Sequence, residues 1–149
     1  MAPSPRIDPW ARRRARRLLA QALYQWQLGG ADAAEIERQF RSTDEFARVD
    51  AEFFSEVLRG VVECAEALDA RIAPLLDRRL SELDHVERAL LRLGTFELCH
   101  RIDVPWRVVI DECVALARTF GAEQSHKYIN AVLDAIARSE RAAEVAADG

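Results

Sequence analysis

The segment ARRRARRLLAQALYQW, residues 11–26, places five arginines within six positions directly before an apolar pattern with helical spacing. Asp8 is a residue type that caps helix N-termini, and Pro9 suits the first helical position. We therefore expect a helix that begins near Trp10 and includes the arginines. Because successive helical residues turn by about 100°, one stripe of this helix faces a core, and it contains Ala15, Leu18, Leu19, Ala22, Leu23 and Trp26.

The arginines and one aromatic residue fall outside this apolar stripe. Tyr24 lies two turns below Arg17, on the basic side of the helix. In single-stranded RNA recognition, cations hold phosphates while an unpaired base stacks on an aromatic ring. The pattern is typical of such a surface; packing of Tyr24 against a neighbouring helix is the alternative interpretation.

Charge is distributed unevenly along the chain, whose formal net charge is −4. Residues 1–17 contain six arginines and one aspartate and carry +5, so the remaining 132 residues carry −9. This asymmetry favours an arm that binds a polyanion. A solvated, disordered tail would have the same composition.

Length and composition indicate one soluble domain. The 149 residues are 50% apolar and 31% charged, which suits a single sizeable core. No apolar run approaches the roughly 18 residues of a membrane span, and the N-terminus lacks the pattern of a secretory signal. We therefore expect a cytoplasmic protein, in which Cys64, Cys99 and Cys113 are reduced.

The rest of the chain is predicted to be helical throughout, without strands. The residues at which helices are expected to begin or end are Asp32, Asp50, Pro74, Asp84, Pro105 and Gly121. The helix after Asp84 carries apolar residues on more than one side, so it should be central. We expect an all-α, compact single domain of about seven helices over residues 1–149, with flexible ends at 1–8 and 140–149.

The last predicted helix repeats the pattern of the first. In GAEQSHKYINAVLDAIAR, residues 121–138, one apolar stripe contains Ile129, Val132, Leu133 and Ile136. Gln124, Lys127 and Tyr128 therefore project to another side. They could form part of a binding surface, or Lys127 could be a solvated residue and Tyr128 an aromatic at the edge of the core.

Three segments resemble the NusB family of bacterial transcription antitermination proteins. They are RRRARRLLAQALYQWQ (12–27), VERALLRLGTFELCHRIDVPWRVVIDECVALA (86–117) and FGAEQSHKYINAVLD (120–134). The resemblance implies two small helical bundles packed together. It also implies binding of the boxA element of nascent RNA jointly with NusE, a small-subunit ribosomal protein. This assembly serves an RNA polymerase antitermination complex, notably in rRNA transcription.

The resemblance also assigns residues. As RNA-binding positions it implies Arg12, Arg13, Arg14, Arg16, Tyr24, Phe120, Gln124, Lys127, Tyr128 and Asn130, and we place a contact with NusE at Glu87. Arg17 stands where an acidic residue can occur in the family, and Gln124 where some relatives have Asp. Both departures make this face less negative, so we expect RNA binding to be kept or strengthened.

Catalysis is not expected. His85, His100 and His126 are scattered, and the chain lacks a phosphate-binding glycine loop, a nucleophile elbow and metal-ligand spacing. We predict a protein with no cofactor and no metal.

Two alternative functions stay open. An rRNA cytosine methyltransferase has a similar N-terminal helical domain, although 149 residues leave no room for its catalytic domain. The other is a helical protein-interaction module with a non-specific basic nucleic-acid-binding arm.

Overall fold

The computed structural model describes residues 7–148, and all regular structure in this range is helical. The seven α-helices are α1 (Pro9–Leu28), α2 (Ala33–Arg41), α3 (Ala51–Ile72), α4 (His85–His100), α5 (Trp106–Phe120), α6 (Ser125–Glu140) and α7 (Ala142–Asp148). Short 3-10 helices occupy Asp44–Arg48, Ala73–Leu75 and Leu80–Glu82. The predicted all-α fold with about seven helices is confirmed. None of the helices in this range has the length and apolar character needed to cross a membrane.

The helices begin at the polar residues that the sequence marks. Asp8 accepts hydrogen bonds from the backbone N–H groups of Trp10 and Ala11, so α1 starts as predicted. The aspartates that precede α2, α3 and α4 each accept one from the backbone N–H three residues later; these caps are Asp32, Asp50 and Asp84. Because each cap satisfies an N–H group that has no helical partner, each stabilises its helix by about 1 kcal/mol.

Helix α4 is the centre of the molecule. It contacts four of the other helices, α1, α3, α5 and α6. Its residues 89–98 are all buried, which explains why apolar residues occur on more than one of its faces. The prediction of a central helix is confirmed: α1 packs on α3 and α5 packs on α6, and α4 contacts all four helices.

Glycines allow the closest approaches to α4. A Cβ atom at Gly94 would lie 2.7 Å from the side chain of Leu133 on α6. A Cβ atom at Gly60 on α3 would overlap the ring of Phe96 on α4. Because real Cβ contacts are longer, only glycine permits these helix spacings without displacement of the core.

The flexibility expected for the C-terminal end, residues 140–149, stays a prediction, and the structure shows contacts of this segment with the rest of the protein up to Asp148. Arg141 is buried and donates hydrogen bonds to four backbone carbonyls, those of Glu97, Leu98, Arg101 and Val104. These carbonyls lie in the last turn of α4 and in the loop that follows it, so one buried guanidinium ties the end of α4 to that loop. Helix α7 is then held by Glu144 and Asp148, which accept hydrogen bonds from Trp106. Of the predicted N-terminal end, residues 1–6 lie outside the described residues.

Candidate nucleic-acid and partner interface

The arginines of α1 lie in two different environments. Arg16 is 3% exposed, and its Nε and Nη2 atoms donate to both carboxylate oxygens of Glu97 on α4 at 2.8–3.2 Å. Burial lowers the pKa of the Arg16 guanidinium, but the hydrogen bonds and charge of Glu97 outweigh it and raise the pKa. The structure therefore contradicts Arg16 as a surface phosphate contact, because a buried carboxylate already holds its guanidinium.

Arg12 also points toward protein carboxylates. Its side chain is 12% exposed, and its guanidinium binds Asp50 at 3.3 Å and Asp103 at 3.0 Å. Arg101 binds Asp103 as well, and pairs with Glu56. Burial raises the pKa of Asp103, but its hydrogen bonds to Arg101 and Arg12 outweigh it, so the pKa is lowered. Arg12 is thus engaged between α3 and the α4–α5 loop, and its contact with RNA phosphate stays a prediction.

The ring of Phe53 lies at the centre of these ion pairs. The guanidinium carbons of Arg12, Arg16 and Arg101 lie 4.7, 4.9 and 5.1 Å from its centroid. Cations at this distance are attracted by the negative face of an aromatic ring. We call these three arginines and Phe53, with Asp50, Glu97 and Asp103, the internal arginine network; it fastens α1 to α3 and α4.

The other arginines of α1 face solvent. Arg13, Arg14 and Arg17 are exposed and line a groove of about 220 Å³ between α1 and α5. The guanidinium of Arg17 lies 5.5 Å from the centroid of the Phe120 ring. Arg13 approaches Glu112 at 3.5 Å, whereas Arg14 and Arg17 form no ion pair with any other residue in 7–148. We call this the arginine groove; its lining includes Arg13, Arg14, Arg17, Glu112, Thr119 and Phe120.

Residues of the C-terminal motif are only partly brought together. Lys127 and Asn130 are exposed on α6 and line one groove between α5 and α6. Gln124 is exposed before α6, with a left-handed backbone at φ 73°. Tyr128 is half-buried instead: its hydroxyl donates to Asp77 at 3.1 Å, and Arg78 covers its ring at 4.5 Å. The ring of Tyr128 is therefore already stacked within the protein.

Sequence reasoning missed two further residues in the α5–α6 groove. Arg118 on α5 and His126 on α6 line it beside Lys127. Helical spacing could have indicated Arg118, because it follows Ala115 by nearly one turn and Asp111 by two turns. The three residues therefore lie on one face of α5.

Tyr24 lies in a third groove, whose lining is mostly apolar. The groove has a volume of about 520 Å³ and is formed by α1, α2, α4 and Phe120. Tyr24 is 40% exposed, and its ring meets that of His85 edge-on with centroids 6.0 Å apart. We call this the apolar groove; its lining includes Gln21, Tyr24, Gln25, Leu28, Phe40, Val86, Ala89 and Phe120. Phe120 lines both this groove and the arginine groove.

Glu87 occupies a different position from the one expected for a partner contact. It is 8% exposed, and its Oε2 atom accepts a hydrogen bond from the Ser125 hydroxyl at 3.1 Å. The carboxylate therefore joins α4 to α6, and burial keeps it from a partner surface. Its neighbour Val86 lines the apolar groove instead.

Cysteine and histidine chemistry gives no second kind of site in the described part of the chain. All three cysteines are free thiols, and burial raises the pKa of the Cys113 thiol. Residues 7–148 hold no group of three or more His, Cys, Asp or Glu side chains placed to bind a metal ion. The exposed arginines and the apolar groove are therefore the candidate binding surfaces in this part of the chain.

Known antitermination proteins are similar to the chain over most of its length. The sequence profile described as the NusB family matches residues 13–138. The transcription antitermination protein NusB of Alcanivorax borkumensis is 56% identical over 136 residues, which cover 91% of each chain. That of Yersinia pestis is 53% identical over 135 residues, which cover 91% of this chain and 98% of the relative.

Solved structures show the same relationship. T. maritima NusB superposes with a TM-score of 0.73 at 32% identity, over 85% of this chain and 89% of that one. A crystal structure of the antitermination factors NusB and NusE in complex with double-stranded RNA superposes with a TM-score of 0.71 at 28% identity. That match covers 85% of this chain and 96% of that one. By its sequence and its fold, the chain belongs to the NusB family.

Proposed function

We propose that this protein is a transcription antitermination factor that binds the boxA element of nascent RNA jointly with NusE. The complex would serve RNA polymerase, notably during rRNA transcription. One observation carries the proposal: in a chain of the NusB family, an exposed arginine groove and an apolar groove meet at Phe120. The first has the chemistry for RNA and the second has the chemistry for a protein partner.

RNA binds the arginine groove in this proposal. Arg14 and Arg17 can contact phosphates without breaking an ion pair, whereas Arg13 must first break its ion pair with Glu112. The Phe120 ring supplies an aromatic surface directly beneath the Arg17 guanidinium. Cations with an adjacent aromatic ring are the usual elements of single-strand binding. Gln124, Lys127 and Asn130 extend this polar surface onto α6.

NusE binds the apolar groove in this proposal. Tyr24 and Leu28 expose 40% and 56% of their surface there, beside Val86 of α4. Contiguous exposed apolar surface marks interaction sites, and tyrosine is enriched among residues that dominate binding energy. The contact with NusE is thus still placed near the N-terminal half of α4. Val86 and Tyr24 make this contact, rather than the buried Glu87. A direct RNA contact by Tyr24 stays the rival prediction.

The adjacency of the two grooves predicts coupling between the two partners. A protein seated in the apolar groove would contact Phe120 from one side while RNA contacts it from the other. Linkage then requires that NusE tightens RNA binding by the same factor by which RNA tightens NusE binding.

A three-component titration tests the proposal. The affinity for a short single-stranded boxA RNA is measured with and without NusE, with duplex RNA and duplex DNA of equal charge as competitors. We expect weak binding by the protein alone, a preference for the RNA over duplex DNA, and a gain when NusE is added. Duplex RNA is included because the structural relative was solved with it.

Two results would contradict the proposal. If RNA affinity never responds to NusE, the antitermination assignment fails. If duplex DNA of equal charge also competes as well as boxA RNA, the protein-interaction module with a non-specific basic arm becomes the better account.

A further inference from the structure

A second basic groove lies across α5 from the arginine groove. It runs between α5 and α6, has a volume of about 560 Å³, and is lined by Arg118, His126, Lys127 and Asn130. Asp111 also lines it, but lies two helical turns before Arg118, about 10 Å away along α5. The end of this groove near Arg118 therefore offers hydrogen-bond donors and positive charge.

The positive charges of this groove are available to a ligand. Arg118 and Lys127 are exposed, and neither forms an ion pair with another residue in the range 7–148. This differs from Arg12 and Arg16, whose guanidinium groups are held by protein carboxylates. A phosphate that binds Arg118 would displace water rather than break an existing ion pair.

The two grooves form one continuous path over α5. Ala115 lines both of them, so the ridge between them carries a methyl group at that point. Arg118 faces the α5–α6 groove, and the next residue, Thr119, faces the arginine groove. A helix with its side chains is about 10–12 Å across, so one extended strand of nucleic acid can reach both grooves.

We propose that the α5–α6 groove is a second phosphate-binding subsite for the RNA strand held in the arginine groove, with Arg118 as its main contact. The imidazole of His126 and the amide of Asn130 add hydrogen-bond donors beside it. This inference rests on the proposed function, because it extends the same RNA surface. Phosphate contacts set position and affinity without reading bases, so the subsite adds salt dependence without adding sequence preference.

Salt titrations with RNA strands of two lengths test the subsite. Strands of about 4 and about 12 nucleotides lie within the known range of single-strand site sizes. On the longer strand, Arg118→Ala lowers the magnitude of the log–log salt slope by about 0.7, the value for one single-strand phosphate contact. Arg118→Lys keeps the slope, because the charge remains. On the shorter strand, held at the arginine groove, Arg118→Ala changes the slope little.

Matched controls separate failure of the subsite from failure of the proposed function. Arg38 is exposed on α2 and lines neither groove, so Arg38→Ala should leave both slopes unchanged. If Arg14→Ala lowers the slope but Arg118→Ala does not, even with the longer strand, the subsite is wrong and the proposed function stands. If the parent protein shows no salt-dependent RNA binding, the subsite and the proposed function are both wrong. If Arg118→Ala weakens only NusE binding, the groove is a protein interface and the inference is overturned.

Discussion

Arg16 and Glu97 form an ion pair that is closed to solvent, with side chains 3% and 0% exposed. Two nitrogens of the guanidinium face both oxygens of the carboxylate, the geometry that gives the strongest charge-assisted hydrogen bonds. Removal of one partner from such a pair leaves an uncompensated buried charge. The pair thus ties the position of α1, and of its outward arginines, to the central helix.

Arg16→Gln should reduce stability strongly and leave the RNA salt slope intact. Loss of one partner of a buried ion pair costs about 3–5 kcal/mol, measured as the free energy of unfolding in urea. The slope is measured on protein that is still folded, with Arg14→Gln as the matched control that lowers the slope but not the stability. A lower slope for folded Arg16→Gln would show that Arg16 contacts phosphate after all.

The outward arginines should behave in the opposite way. We expect the double variant Arg14→Ala with Arg17→Ala to lower the magnitude of the RNA salt slope by about 1.4, at about 0.7 per single-strand phosphate contact. Its unfolding free energy should stay near that of the parent, because neither guanidinium pairs with a carboxylate in residues 7–148. Arg38→Ala is the control for a generic loss of charge. An unchanged slope in the double variant would contradict the RNA assignment of the groove.

Glu112 is the acidic residue that lines the arginine groove, and its removal should tighten RNA binding. Its carboxylate lies 3.5 Å from the Arg13 guanidinium, where it competes with phosphate. A partly exposed pair is worth about 0.2–1 kcal/mol, so Glu112→Gln should increase RNA affinity by at most about five-fold. Glu66→Gln on the exposed face of α3 changes the net charge equally and is the control. Equal gains in both variants would assign the effect to net charge alone.

How well a structural feature can be predicted from this sequence depends on how far apart in the chain the interacting residues lie. Helix starts were predictable because Asp8 and Asp84 cap amides only two or three residues away. The inward turn of Arg16 was not, because its partner Glu97 is 81 residues distant and sits within the buried face of α4. Helical spacing placed Tyr24 on the basic side of α1, but the packing of α2 and α4 against α1 decides which groove it lines.

Stability should depend on the charge state of Asp103. Hydrogen bonds from Arg101 and Arg12 outweigh burial and lower the pKa of Asp103 in the folded protein. A lowered folded pKa contributes stability above the unfolded pKa of about 3.9, and this contribution is lost as pH falls through the folded value. Asp103→Asn should therefore destabilise the protein at neutral pH, with a difference from the parent that shrinks in acid. A difference that is constant with pH would refute a role for this charge.

Tyr24 distinguishes the partner interface from direct RNA stacking. Because its ring lies among Leu28, Val86 and Phe40 in the apolar groove, Tyr24→Ala should abolish most of the gain in RNA affinity caused by NusE. The affinity of the protein alone for RNA should change little, and Tyr24→Phe should keep most of the gain because the ring remains. Direct stacking predicts instead a loss of about 1–3 kcal/mol in RNA affinity without NusE. Melting temperatures of both variants serve as the control, because a merely structural ring would lower the melting temperature and RNA binding in parallel. If the NusE-dependent gain survives Tyr24→Ala, the apolar groove is not the partner site.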